Sequence, residues 1–176
     1  MSTLKVENLT GITSGSNANK IIVPSGQTLD ASAGVLTPSA GQVVQCVSRD
    51  DARSHIATTS TSHVSSGVSC SITPKFANSI IVIDFHIPMT HTPNSNGQLV
   101  PRLYRGTTAL SSTNYSQGYH TDGNQYQNIT VQGRDAGHNS TSSLTYEVYF
   151  RSSGGGQTFL VHNTSETHIR LWEIKV

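Results

Sequence analysis

Apolar and polar residues alternate with a period of two along much of the chain, the spacing of a strand with one buried face. No stretch keeps the 3,4 spacing of an amphipathic helix. Val68, Cys70 and Ile72 form one such set, and Ile81, Ile83, Phe85 and Ile87 form another. The pattern predicts strands over Gln42 to Ser48, Val64 to Ile72, Ser79 to Ile87, Leu99 to Arg105, Asn128 to Arg134, Leu144 to Arg151, Thr158 to His162 and His168 to Val176. The run Ile80 to Phe85 is almost continuously apolar, so it reads as a central strand covered on both sides, and Asp84 within it needs a partner. Turn-forming residues fall where the strands stop, at Thr73-Pro74, Pro93 to Gly97, Asp122-Gly123-Asn124, Ala136 to Asn139 and Ser152 to Gly156. Short strands punctuated in this way imply an all-β chain whose region 46–176 is an antiparallel β-sandwich of jelly-roll type.

The first 45 residues follow a different pattern. Their apolar residues come in short bursts (Leu4, Val6, Leu9, Ile12; Ile21 to Val23; Leu29; Val35 and Leu36; Val43 and Val44) separated by Gly, Ser, Thr, Asn and Pro. Such a segment has no means of building a core alone, being smaller than the size at which chains fold without staples, metals or oligomerisation. Val23-Pro24-Ser25-Gly26-Gln27 is echoed by Thr37-Pro38-Ser39-Ala40-Gly41-Gln42, and two copies are too few for a self-standing solenoid. Parallel copies from neighbouring chains would supply the missing faces, which predicts an intertwined, trimeric β-rich stalk or anchor over 1–45.

Composition narrows the function class. Charged residues make up 12% of the chain and the net charge is +1, with Ser, Thr, Asn, Gln and Gly carrying the polar surface. That is low for an enzyme surface. The 11 basic residues are scattered and nearly matched by 10 acids, so nothing points to nucleic acid. No apolar stretch approaches the length of a membrane span, and Met1 is not followed by the charged and apolar regions of an export signal, which predicts synthesis in a cytoplasm without standard export. Cys46 and Cys70 are too few for a disulfide framework, and Cys70, in phase with Val68 and Ile72, reads as a buried thiol.

Several phrases carry a resemblance. STLKVENLTG at the start, IIVPSGQTLDASAG, RLYRGTTAL at Arg102 to Leu110 and the closing IRLWEIKV resemble tail-fibre and tail-spike-type virion proteins of marine bacteriophages, especially phages of cyanobacteria and other ocean bacteria. The resemblance implies a homotrimer on a virion, an N-terminal segment that contacts other virion proteins, and a C-terminal sandwich head that touches the host surface. It supplies no matched set of receptor-binding residues.

Catalytic chemistry finds little footing. A glycan-cleaving site needs two carboxylates facing one bond, and the only neighbouring acids, Asp50 and Asp51, point to opposite faces of a strand and read as a junction between stalk and head. No nucleophile elbow, phosphate loop or zinc helix is present. Of the 8 histidines, His86 and His91 are an odd number apart and no close His-x-His pair exists, so no metal or other cofactor is expected.

The best binding candidate is the long connection Ser111 to Gln127. Tyr115, Tyr119 and Tyr126 offer flat amphipathic rings, and His120, Asp122 and Asn124 offer donors and acceptors, the combination that stacks on and hydrogen-bonds a sugar. The same tyrosines would equally serve to seal a sandwich edge or a trimer interface. The expected function is therefore a phage virion structural protein, a homotrimeric tail fibre or spike whose head is the candidate for binding a host receptor glycan; its rivals are a purely structural head fibre or decoration protein on a capsid, and a glycan-processing enzyme.

Overall fold

The structure is a computed structural model that describes residues 13–16, 22, 24–27, 38–93, 98–110 and 124–176. The chain forms two compact units, 1–37 and 38–176.

Within the first unit, the Gln27 amide donates to the Pro24 carbonyl at 3.0 Å across a turn with Gly26 at φ 80°. The second unit opens on the same device. Gln42 N–H donates to the Ser39 carbonyl at 3.2 Å, with Gly41 at φ 83°. The echoed Gly-Gln phrase is thus a repeated turn, with glycine at the position where a positive φ is required. The trimeric stalk expected over 1–45 falls largely outside the described residues.

The second unit is all-β. Its strands are β1 (Val43–Thr58), β2 (Val64–Ile72), β3 (Ile80–Thr92), β4 (Leu99–Arg105), β5 (Thr108–Ala109), β6 (Gln125–Asp135), β7 (Leu144–Ser152) and β8 (Thr158–Ile174). One sheet runs β1-β8-β3-β6 and the other β2-β7-β4-β5. The pairing is nested: β1 with β8, β2 with β7, β3 with β6 and β4 with β5, all antiparallel. Rolling that long hairpin closed brings β3 onto β8 and β4 onto β7. This is the strand order of an eight-stranded jelly roll.

The inward faces supply the core. Ile81, Ile83, Phe85, Ile87, Ile129, Val131, Ile169 and Leu171 from one sheet meet Val68, Cys70, Ile72, Leu99, Leu103, Tyr146, Val148 and Phe150 from the other. Each large aliphatic or aromatic side chain fully buried in this way stabilises the fold by about 1.5–3 kcal/mol.

Several expectations change. β3 is central, but its second face (Ile80, Val82, Asp84, His86) is only half-buried, and Asp84 Oδ1 has no hydrogen-bond partner. β1 continues ten residues beyond Ser48, so Asp50 and Asp51 lie in mid-strand and not at a junction. Asp51 is buried between Arg49 (3.2 Å) and Arg53 (2.7 Å), while Asp50 faces outward and meets His168 at 2.8 Å. The strands expected over Thr158 to His162 and His168 to Val176 are one continuous β8. β5, two residues after the Gly106-Thr107 turn, replaces the lost count. Cys70 is buried and Cys46 exposed, and both are free thiols.

The topology sorts the connections to two ends. At one end lie 59–63 and 153–157, with residues 93, 98, 110 and 124 beside the strand ends there; Ser152 N–H donates to Ser60 O (2.8 Å) and Ser153 N–H to Gln98 O (3.0 Å). At the other end lie 73–79, 106–107 and 136–143, with the chain's exit beside Gly41, whose amide donates to Lys175 O at 2.7 Å.

Candidate functional site

The described part of the candidate connection ends at the first of these ends. Tyr115, Tyr119, His120 and Asp122 lie outside the described residues. Asn124 and Tyr126 are described, and Gln125 to Gln127 belong to β6 and not to the connection.

Tyr126 sits opposite His91 in the β3–β6 register, on the outward face of its strand. The two rings stack in parallel, 4.3 Å apart with 5° between their planes. His91 is only 6% exposed. It is backed by Phe159 (5.3 Å, stacked) and by the edge of His162 (4.4 Å), and His162 in turn meets His55 at 5.1 Å. Four strands of one sheet therefore contribute to a single ledge of rings, with Asn124 Oδ1 3.4 Å from His91 Nε2 at its margin. Tyr126 is 53% exposed although one face is covered by His91, so its free face is presented to solvent.

Departures from regular strand geometry produce this meeting. β3 carries an extra residue against β6 between Ile87 and Thr90, and the β1–β8 register shifts twice between Ser54 and Ala57. His55 (φ 55°) and Asn163 (φ 58°) occupy the left-handed region, which costs non-glycine residues energy and concentrates at functional sites. The bulge in β3 also corrects the reading of its histidines. An odd spacing on a regular strand would put His86 and His91 on opposite faces, but one inserted residue returns both to the outer face, where His86 stacks on His168 at 6.3 Å.

Polar groups in the ledge are incompletely engaged. His91 Nδ1 and His162 Nδ1 are buried without hydrogen-bond partners. Burial holds the His162 pKa below the ordinary histidine value, with the neighbouring His91 and His55 acting in the same direction. The imidazoles meet ring to ring, and among the described residues no group of three or more His, Cys, Asp or Glu is arranged to hold a metal ion. The arrangement suits stacking on a flat, C–H-rich surface with hydrogen bonds at the rim, which is how aromatic ledges hold sugars.

His55, His91, Phe159 and His162 were not candidates from sequence. Their signal lay in the bulges, which a period-two reading cannot see.

No family model matches the chain, and no curated protein matches it. Among solved structures it is similar to the structure of a marine algae virus of the order Picornavirales, with 10% identity, a TM-score of 0.21, and coverage of 100% of this chain and 88% of that one. A likeness of that degree fixes neither fold nor function, and the topology stands on its own strand pairing.

Proposed function

We propose that this chain is a virion structural protein whose jelly roll is a glycan-binding head, carried as a homotrimer with the N-terminal segment as its attachment to other virion proteins. The observation that carries the binding role is the half-exposed Tyr126 ring, held flat by buried His91 at the start of β6. The eight-stranded jelly roll adds support by analogy, since viral capsid and lectin domains both use it, though the architecture alone does not assign a role. A trimer would present three copies of the ledge, and several weak sites on one particle bind a surface by avidity.

The test is a panel of neutral oligosaccharides against the full chain, read by ligand-observed NMR, together with its mass by light scattering. Binding lost in Tyr126→Ala, at three times the chain mass, is the expected result. A monomer that binds no saccharide would overturn both halves of the proposal.

A further inference from the structure

The outer face of the second sheet carries a feature that the ledge does not involve. Its outward row places Arg102 and Tyr104 on β4 beside Tyr149 and Arg151 on β7, with Arg102 opposite Tyr149 and Val100 opposite Arg151. Arg102 and Arg151 are thus diagonal neighbours, roughly 7–8 Å apart at the backbone. Tyr104 and Tyr149 stack at 4.0 Å with 26° between their planes, and the Arg102 guanidinium lies 6.0 Å from the Tyr104 ring centre. His63, just before β2, closes the group at 6.4 Å from Tyr104.

Arg49 and Arg53 share Asp51, and Arg105 is paired with Asp135, but among the described residues neither Arg102 nor Arg151 is in an ion pair. Glu147 shares this face and is engaged on its β2 side, accepting from the Ser65 hydroxyl and from Gly67 N–H at 2.8 Å. Arg102 Nε and His63 Nε2 are buried with no hydrogen-bond partner. Burial, followed by the positive fields of Arg151 and Arg102, lowers the His63 pKa, as expected of a ring held close to two guanidinium groups. Buried polar groups without hydrogen-bond partners are uncommon in native proteins and call for one.

We propose that this face binds an acidic saccharide, its carboxylate or sulfate bridging Arg102 and Arg151 while the sugar ring lies on the Tyr104–Tyr149 stack. The chemistry fits each part. Paired guanidinia recognise planar or tetrahedral oxyanions through two-pronged hydrogen bonds, and stacked tyrosines offer a flat apolar surface to the ring. The site is separate from the Tyr126 ledge and does not depend on it.

The test titrates the full chain with three probes: a galacturonic acid tetrasaccharide, a neutral galactose tetrasaccharide and inorganic sulfate. Binding of the acidic probe, weakened by about tenfold to a hundredfold in Arg102→Gln and in Arg151→Gln, is expected from the loss of one charge-assisted pair. In Tyr126→Ala, where the ledge no longer contributes, the preference for the acidic over the neutral probe should persist, which separates the site from the ledge. Should Arg102→Gln fail to fold, Arg151→Gln and a fall in affinity with added salt carry the same test. Equal binding of acidic and neutral probes would overturn the charge requirement, and sulfate binding as strongly as the tetrasaccharide would mean an anion site only. Absence of any acidic-probe binding at millimolar concentration would overturn the proposal outright.

Discussion

The two ends of this jelly roll handle polar groups in opposite ways. At the end that holds 73–79 and 136–143, buried carboxylates are saturated. Glu173, fully buried, accepts from Gln45 Nε2 (2.6 Å), the Lys75 and Phe76 amides (2.9 Å each) and the Ser79 hydroxyl (2.7 Å). Asp135 accepts from Arg105 (2.7 Å), the Tyr146 hydroxyl (2.8 Å) and Gly137 N–H (3.2 Å). His138 Nε2 donates to Ser79 O at 2.8 Å and pins the 136–143 connection to the first of these networks. At the other end, His91 Nδ1 and His162 Nδ1 are buried without partners among the described residues, and β1 and β3 bulge beside them; positive φ occurs at both ends, at His55 and Asn163 here and at Asn139 in the 136–143 connection. Among the described residues, the first end satisfies its buried carboxylates, and the other keeps unused hydrogen-bonding capacity beside exposed rings. A fold closed at one end by its own hydrogen bonds can leave the other strained and available.

The comparison predicts graded effects on stability. The largest belongs to the shared core: Phe85→Ala should cost about 3–5 kcal/mol, seen as a lower denaturation midpoint. An unchanged midpoint would mean that β3 does not bury this residue. Next comes the closed end. Glu173→Gln keeps the shape but removes the charge that four donors address, and should cost about 1.5–3 kcal/mol on the scale of hydrogen bonds to charged groups. A cost near zero would erase the distinction between the ends.

The same carboxylate gives a pH signature. Burial alone would raise the Glu173 pKa, but the Lys75 amide, the Ser79 hydroxyl, Gln45 and the Phe76 amide together hold it below the usual glutamate value. A depressed carboxylate pKa stabilises the fold above the unfolded-state value, and that stability is lost as pH falls through the folded-state value. Acid denaturation measured between about pH 5 and 2 should therefore flatten in Glu173→Gln. An identical acid limb in wild type and variant would assign the acid sensitivity to other groups.

Legibility from sequence followed the same division. β2 and β4 were readable to the residue because turn signals bound both and the inward positions Val68, Cys70 and Ile72 on one, Leu99 and Leu103 on the other, keep the period of two; the irregularity between Ser65 and Ser69 adds two residues and so preserves the phase. The second half of β1 was not, because Asp51 takes an inward position with arginines at 49 and 53, and a buried ion-paired aspartate breaks the apolar alternation that marks a strand. β8 read as two strands for a related reason. Its middle, Asn163 to Glu166, is polar and lies where the β1 register shifts. Of the site, Asn124 and Tyr126 were visible as loop-flanking polar and aromatic residues, while His55, His91, Phe159 and His162 converge only through bulges, which alter strand phase without a compositional mark.

The smallest effects are expected at the open end, and they sharpen the comparison most. Tyr126→Ala removes a half-exposed ring with no hydrogen bond in the described structure, so its stability cost, read from thermal denaturation, should be no more than about 0.5–1 kcal/mol while saccharide binding at the ledge is lost. A loss as large as that of Phe85→Ala would recast the ledge as core. His162 supplies the matching titration. Its folded-state pKa lies below the unfolded value of 6.5, so the unfolded chain takes up a proton that the folded chain refuses. Stability should then fall as pH drops below about 6.5 and stop falling once the folded ring is itself protonated. His162→Gln should remove this shallow limb and leave the steeper carboxylate limb at lower pH intact. Loss of both limbs together would show that the two ends are coupled, which their separate hydrogen-bond networks argue against.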